Sequence, residues 1–218
     1  MDIIRQLNDF IKHIGIDYAI CGGHAIDLFI GKKTRPHKDL DVVIFKEDRN
    51  KIIQFMIDNG WDVYEPCGNE ILHKIVDIND QKLIKTNIWC VKPENRHYEF
   101  IPKDINMFSV KFDNSEQIEL DFIEYLFNKR VDGYFLYSRN NDIKLNMNSC
   151  ILYFDDIPFL TPELVLLYKS KGIDIVPENQ IDFDNVFYKL NESQKVWLKD
   201  SLNVMFPEGH KWMYKINL

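Results

Sequence analysis

The stretch from Cys21 to Phe45, CGGHAIDLFIGKKTRPHKDLDVVIF, constrains this chain more than any other. The apolar run Tyr18 to Cys21 predicts a strand that ends at Gly22-Gly23, and a short helix follows from about Gly23 to Phe29 and stops near Gly31. A second strand is predicted over Asp39–Phe45. Residues i and i+2 of a strand point to the same face, so Asp39 and Asp41 would present two anions side by side. Paired carboxylates repel and titrate as a couple, and a hard divalent cation such as Mg²⁺, which prefers oxygen ligands, removes that cost. Glycines at a strand-to-helix turn let the backbone approach a ligand, and the first helical N–H groups attract phosphate. A phosphate-binding turn placed ahead of metal-binding carboxylates points to phosphoryl or nucleotidyl transfer. Lys32, Lys33, Arg35, His37 and Lys38 form the densest positive cluster and lie between the two. Their position fits a counter-charge for a polyphosphate as well as a solvated loop.

The remaining sequence agrees with a folded, soluble protein. Its 218 residues suit one domain or a core with an appended subdomain. The net charge of −7 argues against a broad nucleic-acid-binding surface. Cys21, Cys67, Cys90 and Cys150 are widely spaced and form no CxxC pair, as expected of reduced thiols in a cytoplasmic protein. Charges interrupt the apolar face of the N-terminal segment, so it reads as an amphipathic helix and not a signal peptide. No apolar run approaches membrane-spanning length.

Read in order, the chain predicts a helix, a strand, a helix, a strand, a helix over Lys46–Asn59 and a strand at Trp61–Tyr64. This is the pattern of an α/β (α+β) fold with helices covering a mixed sheet. The text becomes β-rich from Ile71 to Phe122, with strands expected at Leu83–Val91 and Asn106–Phe112. Arg96–Phe100 has no clear assignment. Gln117–Phe122 alternates polar and apolar residues, which predicts a strand with Ile118, Leu120 and Phe122 toward the core and Glu119 and Asp121 together on the other face. Tyr134–Tyr137 and Ile143–Leu145 flank a turn signal and predict a hairpin, and Cys150–Phe154 predicts another strand. Thr161-Pro162 opens a helix that ends near Gly172. Asp182 is a candidate cap for the helix after it, and Asn191–Val204 reads as a terminal helix. The expected division is a catalytic core over residues 1–128 and a smaller C-terminal hairpin-plus-helix subdomain over 129–218.

The composite Gly22-Gly23-His24-Ala25-x-Asp27-Leu28, Gly31, Thr34-Arg35, His37 and Asp39-x-Asp41 resembles the DNA polymerase beta-like nucleotidyltransferase superfamily. More narrowly, it is similar to the branch of lincosamide and aminoglycoside (2″-type) nucleotidyltransferases. The string Thr161-Pro162-Glu163 through Leu167-Tyr168-Lys169-x-Lys171, the pair Asp182-Phe183 and the ending Pro207-Glu208-Gly209-His210-Lys211-Trp212 carry the likeness to the far end of the chain. The chain departs from the pattern at Glu178-Asn179, where relatives carry a basic residue and an aspartate.

The resemblance implies a nucleotidyltransferase-type mixed sheet and magnesium-dependent transfer of AMP from ATP, or of another nucleoside monophosphate, to a hydroxyl, with release of pyrophosphate. Asp39 and Asp41 would hold Mg²⁺, two ions being the expected number, and a later strand would supply a third carboxylate, Asp121 or its face-mate Glu119. Gly22, Gly23 and the following amides would hold phosphates, and Arg35 and Lys169 would offset charge on the pyrophosphate. For Lys169, a helix-end lysine that complements the helix dipole is an equal reading. His37 would orient a metal carboxylate, His24 would pack or face the base, and Asp27 would hold the basic loop through Arg35. The implied acceptor is a small hydroxylated compound of the antibiotic type, with Glu65, Glu70, Asp77 and Asp80 as carboxylates available to a cationic one. Two other readings are a nucleotidyltransferase acting on a protein or RNA partner and a non-catalytic nucleotide-binding module.

Overall fold

A computed structural model describes residues 2–82, 87–113 and 115–216. In chain order the elements are α1 (Asp2–Ile11), β1 (Tyr18–Ile20), α2 (Gly22–Ile30), β2 (Asp41–Phe45), α3 (Arg49–Asp58), β3 (Asp62–Gly68), β4 (Ile71–Ile75), β5 (Asn87–Val91), β6 (Tyr98–Asp104), β7 (Met107–Phe112) and β8 (Phe122–Val131). They continue as β9 (Tyr134–Leu136), β10 (Lys144–Asn146), α4 (Met147–Cys150), β11 (Ile151–Phe154), β12 (Ile157–Leu160), α5 (Pro162–Ser170), α6 (Pro177–Val186), α7 (Glu192–Met205) and α8 (Met213–Ile216). The expected α+β class with a mixed sheet and flanking helices is borne out. No helix among the described residues is long and apolar enough to cross a membrane.

The chain forms two compact units. Residues 1–20 and 36–129 make the first, and residues 21–35 and 130–218 make the second. The stretch from the Gly-Gly turn to Arg35 therefore belongs with the C-terminal part of the chain.

In the first unit the strands lie in the order β1, β2, β8, β5, β3, β4, β7, β6. β2 and β8 run parallel, with Asp41 opposite Glu124 and Val43 opposite Leu126, while the other pairs of this unit are antiparallel. Ile123, Tyr125 and Phe127 alternate with Phe122, Glu124 and Leu126 along β8, so the two sets face opposite sides. The first set is buried under α3: the Tyr125 hydroxyl donates to Met56 Sδ at 3.5 Å, and the Arg49 guanidinium lies 4.5 Å from the Phe127 ring centre. Ile3, Ile4, Leu7 and Ile11 bury one face of α1, as their helical spacing requires.

The structure departs from expectation at two of the predicted strands. The strand expected over Asp39–Phe45 begins at Asp41, which leaves Asp39 on the approach to it. Gln117–Phe122 is not a strand; β8 starts only at Phe122. The Gln117 side-chain amide donates to the carbonyls of Glu119 and Phe122 at 3.0 and 2.8 Å, and the Asp121 N–H turns back to the Glu119 carbonyl. Carbonyls that a ladder would have used are thereby taken, and Ile118, expected in the core, is 72% exposed. The strand expected from Leu83 is seen from Asn87, residues 83–86 lying outside the described residues.

The second unit packs α2 against α5 and α6, with α7 on α5. Asn191 and Gln194 form a reciprocal capping box at the start of α7. Phe183 stacks on Trp212 with ring centres 4.3 Å apart, so the terminal His-Lys-Trp segment has a structural task. The hairpins β9–β10 and β11–β12 complete this unit.

Candidate active site

The acidic residues of the first unit gather at the start of the parallel pair. The Glu124 N–H donates to the Leu40 carbonyl at 2.9 Å, and the Gln117 N–H donates to the His37 carbonyl at 2.8 Å. These bonds tie the loop carrying His37 and Asp39 to the entrance of β8. Parallel partners share a face, so Asp41 and Glu124 project to the same side, as do Phe122 on β8 and Trp89 opposite Glu124 on β5. A cavity of about 230 Å³ opens there, with Asp39 and Glu124 in its wall beside Trp89, Tyr98, Phe112 and Phe122.

The phenol of Tyr98 reports the electrostatics of this wall. Burial raises its pKa first, and Asp39, Glu124, Asp121 and Asp41 raise it further, in that order. Four carboxylates thus bear on one hydroxyl. Glu124 is itself raised: the surrounding protein costs its charged form solvation, and Asp39 opposes its ionisation. Asn87 Nδ2, which donates to Glu124 Oε1 at 2.6 Å, works the other way. Asp121 is also raised by burial, against the opposing charge of His97.

Asp39, Asp41 and Asp121 are therefore brought into one region, with Asp121 one residue before the ladder and 3.4 Å from the Gln117 amide. Glu119 is exposed on the bend before it. The sequence reading passed over Glu124. Its signal was present as Phe122-Ile123-Glu124-Tyr125, a single acid inside an apolar run, the same form as Leu40-Asp41-Val42. Trp89 and Tyr98 were passed over as well, because no local spacing marks their convergence. Glu65, read as available to an acceptor, is wholly buried; His73 Nδ1 lies 2.9 Å from it and the Lys82 N–H donates to it at 2.6 Å. It is structural.

The second unit holds the phosphate-type groups. Gly22 opens α2 with φ +62°, a left-handed conformation that favours glycine. Gly22, Gly23 and His24 make up the first turn, whose N–H groups have no acceptor within the helix. The loop after α2 is held by Thr34, whose N–H and hydroxyl donate to Asp27 Oδ1 at 2.8 and 2.6 Å. Arg35 reaches Asp182 on α6. Its Nε and Nη2 donate to Asp182 Oδ1 and Oδ2, each at 2.8 Å, a two-pronged geometry only guanidinium supplies. Lys169 Nζ lies 2.8 Å from Asp182 Oδ2. Asp182 caps no helix: it lies within α6, fully buried, and gathers the two cations expected to meet phosphate.

A family model described as aminoglycoside-2″-adenylyltransferase matches residues 3–74. A lincosamide resistance protein of Staphylococcus haemolyticus is 28% identical over 99 residues, which cover 42% of this chain and 62% of that protein. The chain thus spans less than two thirds of that relative's length. The lincosamide antibiotic adenylyltransferase LnuA, solved with lincomycin bound, superposes with a TM-score of 0.54 at 17% identity, covering 85% of this chain and 94% of LnuA. ANT(2″)-Ia, solved in complex with adenylyl-2″-tobramycin, gives 0.52 at 11% identity, covering 92% and 97%. At these identities the structural likeness is one of fold. The resemblance read from the sequence, to the lincosamide and aminoglycoside branch of the nucleotidyltransferases, is borne out.

Proposed function

We propose that this protein is an adenylyltransferase that moves AMP from ATP to a hydroxyl of a small antibiotic-like acceptor and releases pyrophosphate. The observation that carries the reading is Asp41 opposite Glu124 on parallel strands, with Asp39 and Glu124 in the wall of one cavity. The Gly-Gly turn and the similarity to antibiotic adenylyltransferases support it.

The donor set fits magnesium. Asp39, Asp41 and Glu124, with Asp121 nearby, offer only hard oxygen ligands, and the upward pull of Asp39 on Glu124 is the repulsion that a divalent cation relieves. Asp39 and Asp41 would hold the metal. When bound, magnesium supplies neutralisation of triphosphate charge and acidifies the acceptor hydroxyl.

The chain's own groups account for the rest. Glu124 accepts the acceptor's hydroxyl proton as its oxygen forms a bond to the α-phosphorus and the bond from that phosphorus to the pyrophosphate oxygen breaks. Asp121, which also bears on Tyr98, is the second candidate for this task and is separated from the first by substitution. Gly22, Gly23 and the His24 amide hold the β- and γ-phosphates. Arg35 and Lys169 stabilise charge on the departing pyrophosphate. His37 fixes the Asp39 loop through its carbonyl.

The test is pyrophosphate release from Mg-ATP across a panel of hydroxylated antibiotics that includes lincomycin and tobramycin. The expected result is turnover with at least one of them, lost in Asp41→Ala while the circular dichroism spectrum is kept. Normal turnover by that variant removes the carboxylate assignment.

A further inference from the structure

Lys169 stands in the last turn of α5, where the closing carbonyls have no partner within the helix. For each of the last four residues, a side chain from elsewhere in the second unit donates to that carbonyl. The Tyr137 hydroxyl donates to the Leu167 carbonyl at 3.2 Å, and Arg139 Nη1 donates to the Tyr168 carbonyl at 2.6 Å. Both come from the hairpin loop between β9 and β10. Asn179 Nδ2, on α6, donates to the Lys169 carbonyl at 3.1 Å. His210 Nε2, between α7 and α8, lies 3.1 Å from the Ser170 carbonyl and donates to it, because a carbonyl only accepts. The Trp212 N–H donates to His210 Nδ1 at 3.2 Å, which fixes the neutral tautomer with its proton on Nε2. A Cβ at position 172 would stand 2.9 Å from Asn179 Nδ2, so Gly172 keeps clear the space that this amide occupies.

A lysine in a last turn has two kinds of partner. It can fold back on its own helix's carbonyls, which carry the negative end of the dipole, or it can reach outward. In α5 the first kind is taken by other donors. Lys169 Nζ instead lies 2.8 Å from Asp182 Oδ2, and its side chain is 13% exposed. An ammonium has three N–H donors, so Lys169 keeps donors for a ligand. Ser170 is buried, and water does not readily replace a donor lost there. A carbonyl freed in this way competes for the ammonium. We infer that Asn179 and His210 are positioning residues: by occupying the carbonyls at the end of α5 they keep the Lys169 ammonium turned outward to the departing pyrophosphate. The inference rests on the adenylyltransferase reading, which assigns Lys169 to pyrophosphate, and adds the two side chains that hold it there.

The experiment is isothermal calorimetry of the full chain with magnesium pyrophosphate. It reads Kd apart from the folded fraction, since a merely destabilised variant loses stoichiometry and keeps its Kd. His210→Phe keeps a ring beside Phe206 and Trp212 but cannot donate. Asn179→Leu keeps the size of the amide without its N–H groups. Each is expected to raise Kd about tenfold at unchanged stoichiometry, the scale of one hydrogen bond to a charged group. His210→Gln retains an N–H at similar reach and is expected to stay within about threefold of wild type. Lys169→Ala, the reference, should weaken binding at least as much as either donor-free variant. Should His210→Phe not fold, Asn179→Leu decides alone. Wild-type Kd in the donor-free variants, or His210→Gln as weak as His210→Phe, overturns the inference; weakened binding by Lys169→Ala then leaves the adenylyltransferase reading standing. Wild-type Kd in Lys169→Ala, or no binding by the wild type, overturns the inference and also removes Lys169 from its pyrophosphate role in that reading.

Discussion

Asp41 and Glu124 sit directly opposite each other on β2 and β8, the parallel pair of the first unit's sheet. Parallel strands place partners on a common face, so two acids 83 positions apart in the chain (124 less 41) become neighbours through the ladder. Asp39 enters from the loop just before β2 and raises the cost of ionising Glu124. The proposed chemistry depends on this placement.

Glu124→Gln keeps the shape and the Asn87 contact but cannot accept a proton. It is expected to lower kcat by about 10²-fold or more, the range for loss of a general base, with an unchanged melting temperature or a modest increase from removal of a desolvated charge. Asp121→Asn is expected to lower it by less than about tenfold on the same scale. Steady-state pyrophosphate release with a turned-over acceptor measures both. The reverse order would assign the base to Asp121.

Asp182 is fully buried and binds Arg35 through both oxygens and Lys169 through one. Asp182→Ala removes the buried carboxylate that Arg35 and Lys169 share and is expected to cost about 3–5 kcal/mol of stability, read from urea unfolding. Asp182→Asn retains hydrogen-bonding oxygen and is expected to cost less. If Asp182→Ala unfolds at the wild-type urea midpoint, the three-way cluster is not the one drawn here.

Two buried acids of the second unit should give opposite pH dependences. Burial alone would raise Asp182, but the Arg35 hydrogen bond and the Lys169 charge outweigh it and hold the pKa below 3.8. The unfolded chain then binds the proton more readily, so this contribution is present above pH 3.8 and is lost as pH falls through the lower folded value. Glu163 is raised above 4.5 by burial, against hydrogen bonds from Thr161 at 2.5 Å and Gln194 at 2.8 Å. Here the folded chain holds the proton, so its contribution is full below pH 4.5 and fades as pH rises through the folded value. Urea midpoints between pH 3 and 7 should show Asp182→Asn flattening the acid side of the stability curve. Glu163→Gln should gain on wild type as pH rises above 4.5.

Gly22 has φ +62° at the first position of α2. Gly22→Ala forces a side chain into the left-handed region and is expected to cost about 1–2 kcal/mol. It should also raise the KM for ATP more than it lowers kcat, since the turn is assigned to ground-state phosphate binding. A variant with wild-type stability and KM would remove the close-approach role of this turn.

Much was legible along the chain. Helical spacing in Ile3, Ile4, Leu7 and Ile11 foretold the buried face of α1, and Thr161-Pro162 foretold the start of α5. Asp39 and Asp41 were legible because their proximity is written in two residues of spacing. Gln117–Phe122 misled because its alternation satisfies the strand pattern, whereas the Gln117 side chain takes the backbone acceptors a strand needs. Asp182 misled in a similar way: next to a helix start it reads as a cap, but its partners are Arg35, 147 residues earlier, and Lys169.

The sequence alone determined the local chemistry: a glycine turn, a pair of acids two residues apart, a basic loop and the helices whose apolar stripes demand burial. Periodicity and backbone preference act over a few residues, so such features can be read without coordinates. Only the tertiary structure decided which acid stands opposite Asp41, which acid gathers Arg35 and Lys169, and which rings share a wall with Asp39. Those choices follow from strand register and helix packing, where the energy comes from contacts between distant segments, and no short stretch of sequence records the neighbour it will meet.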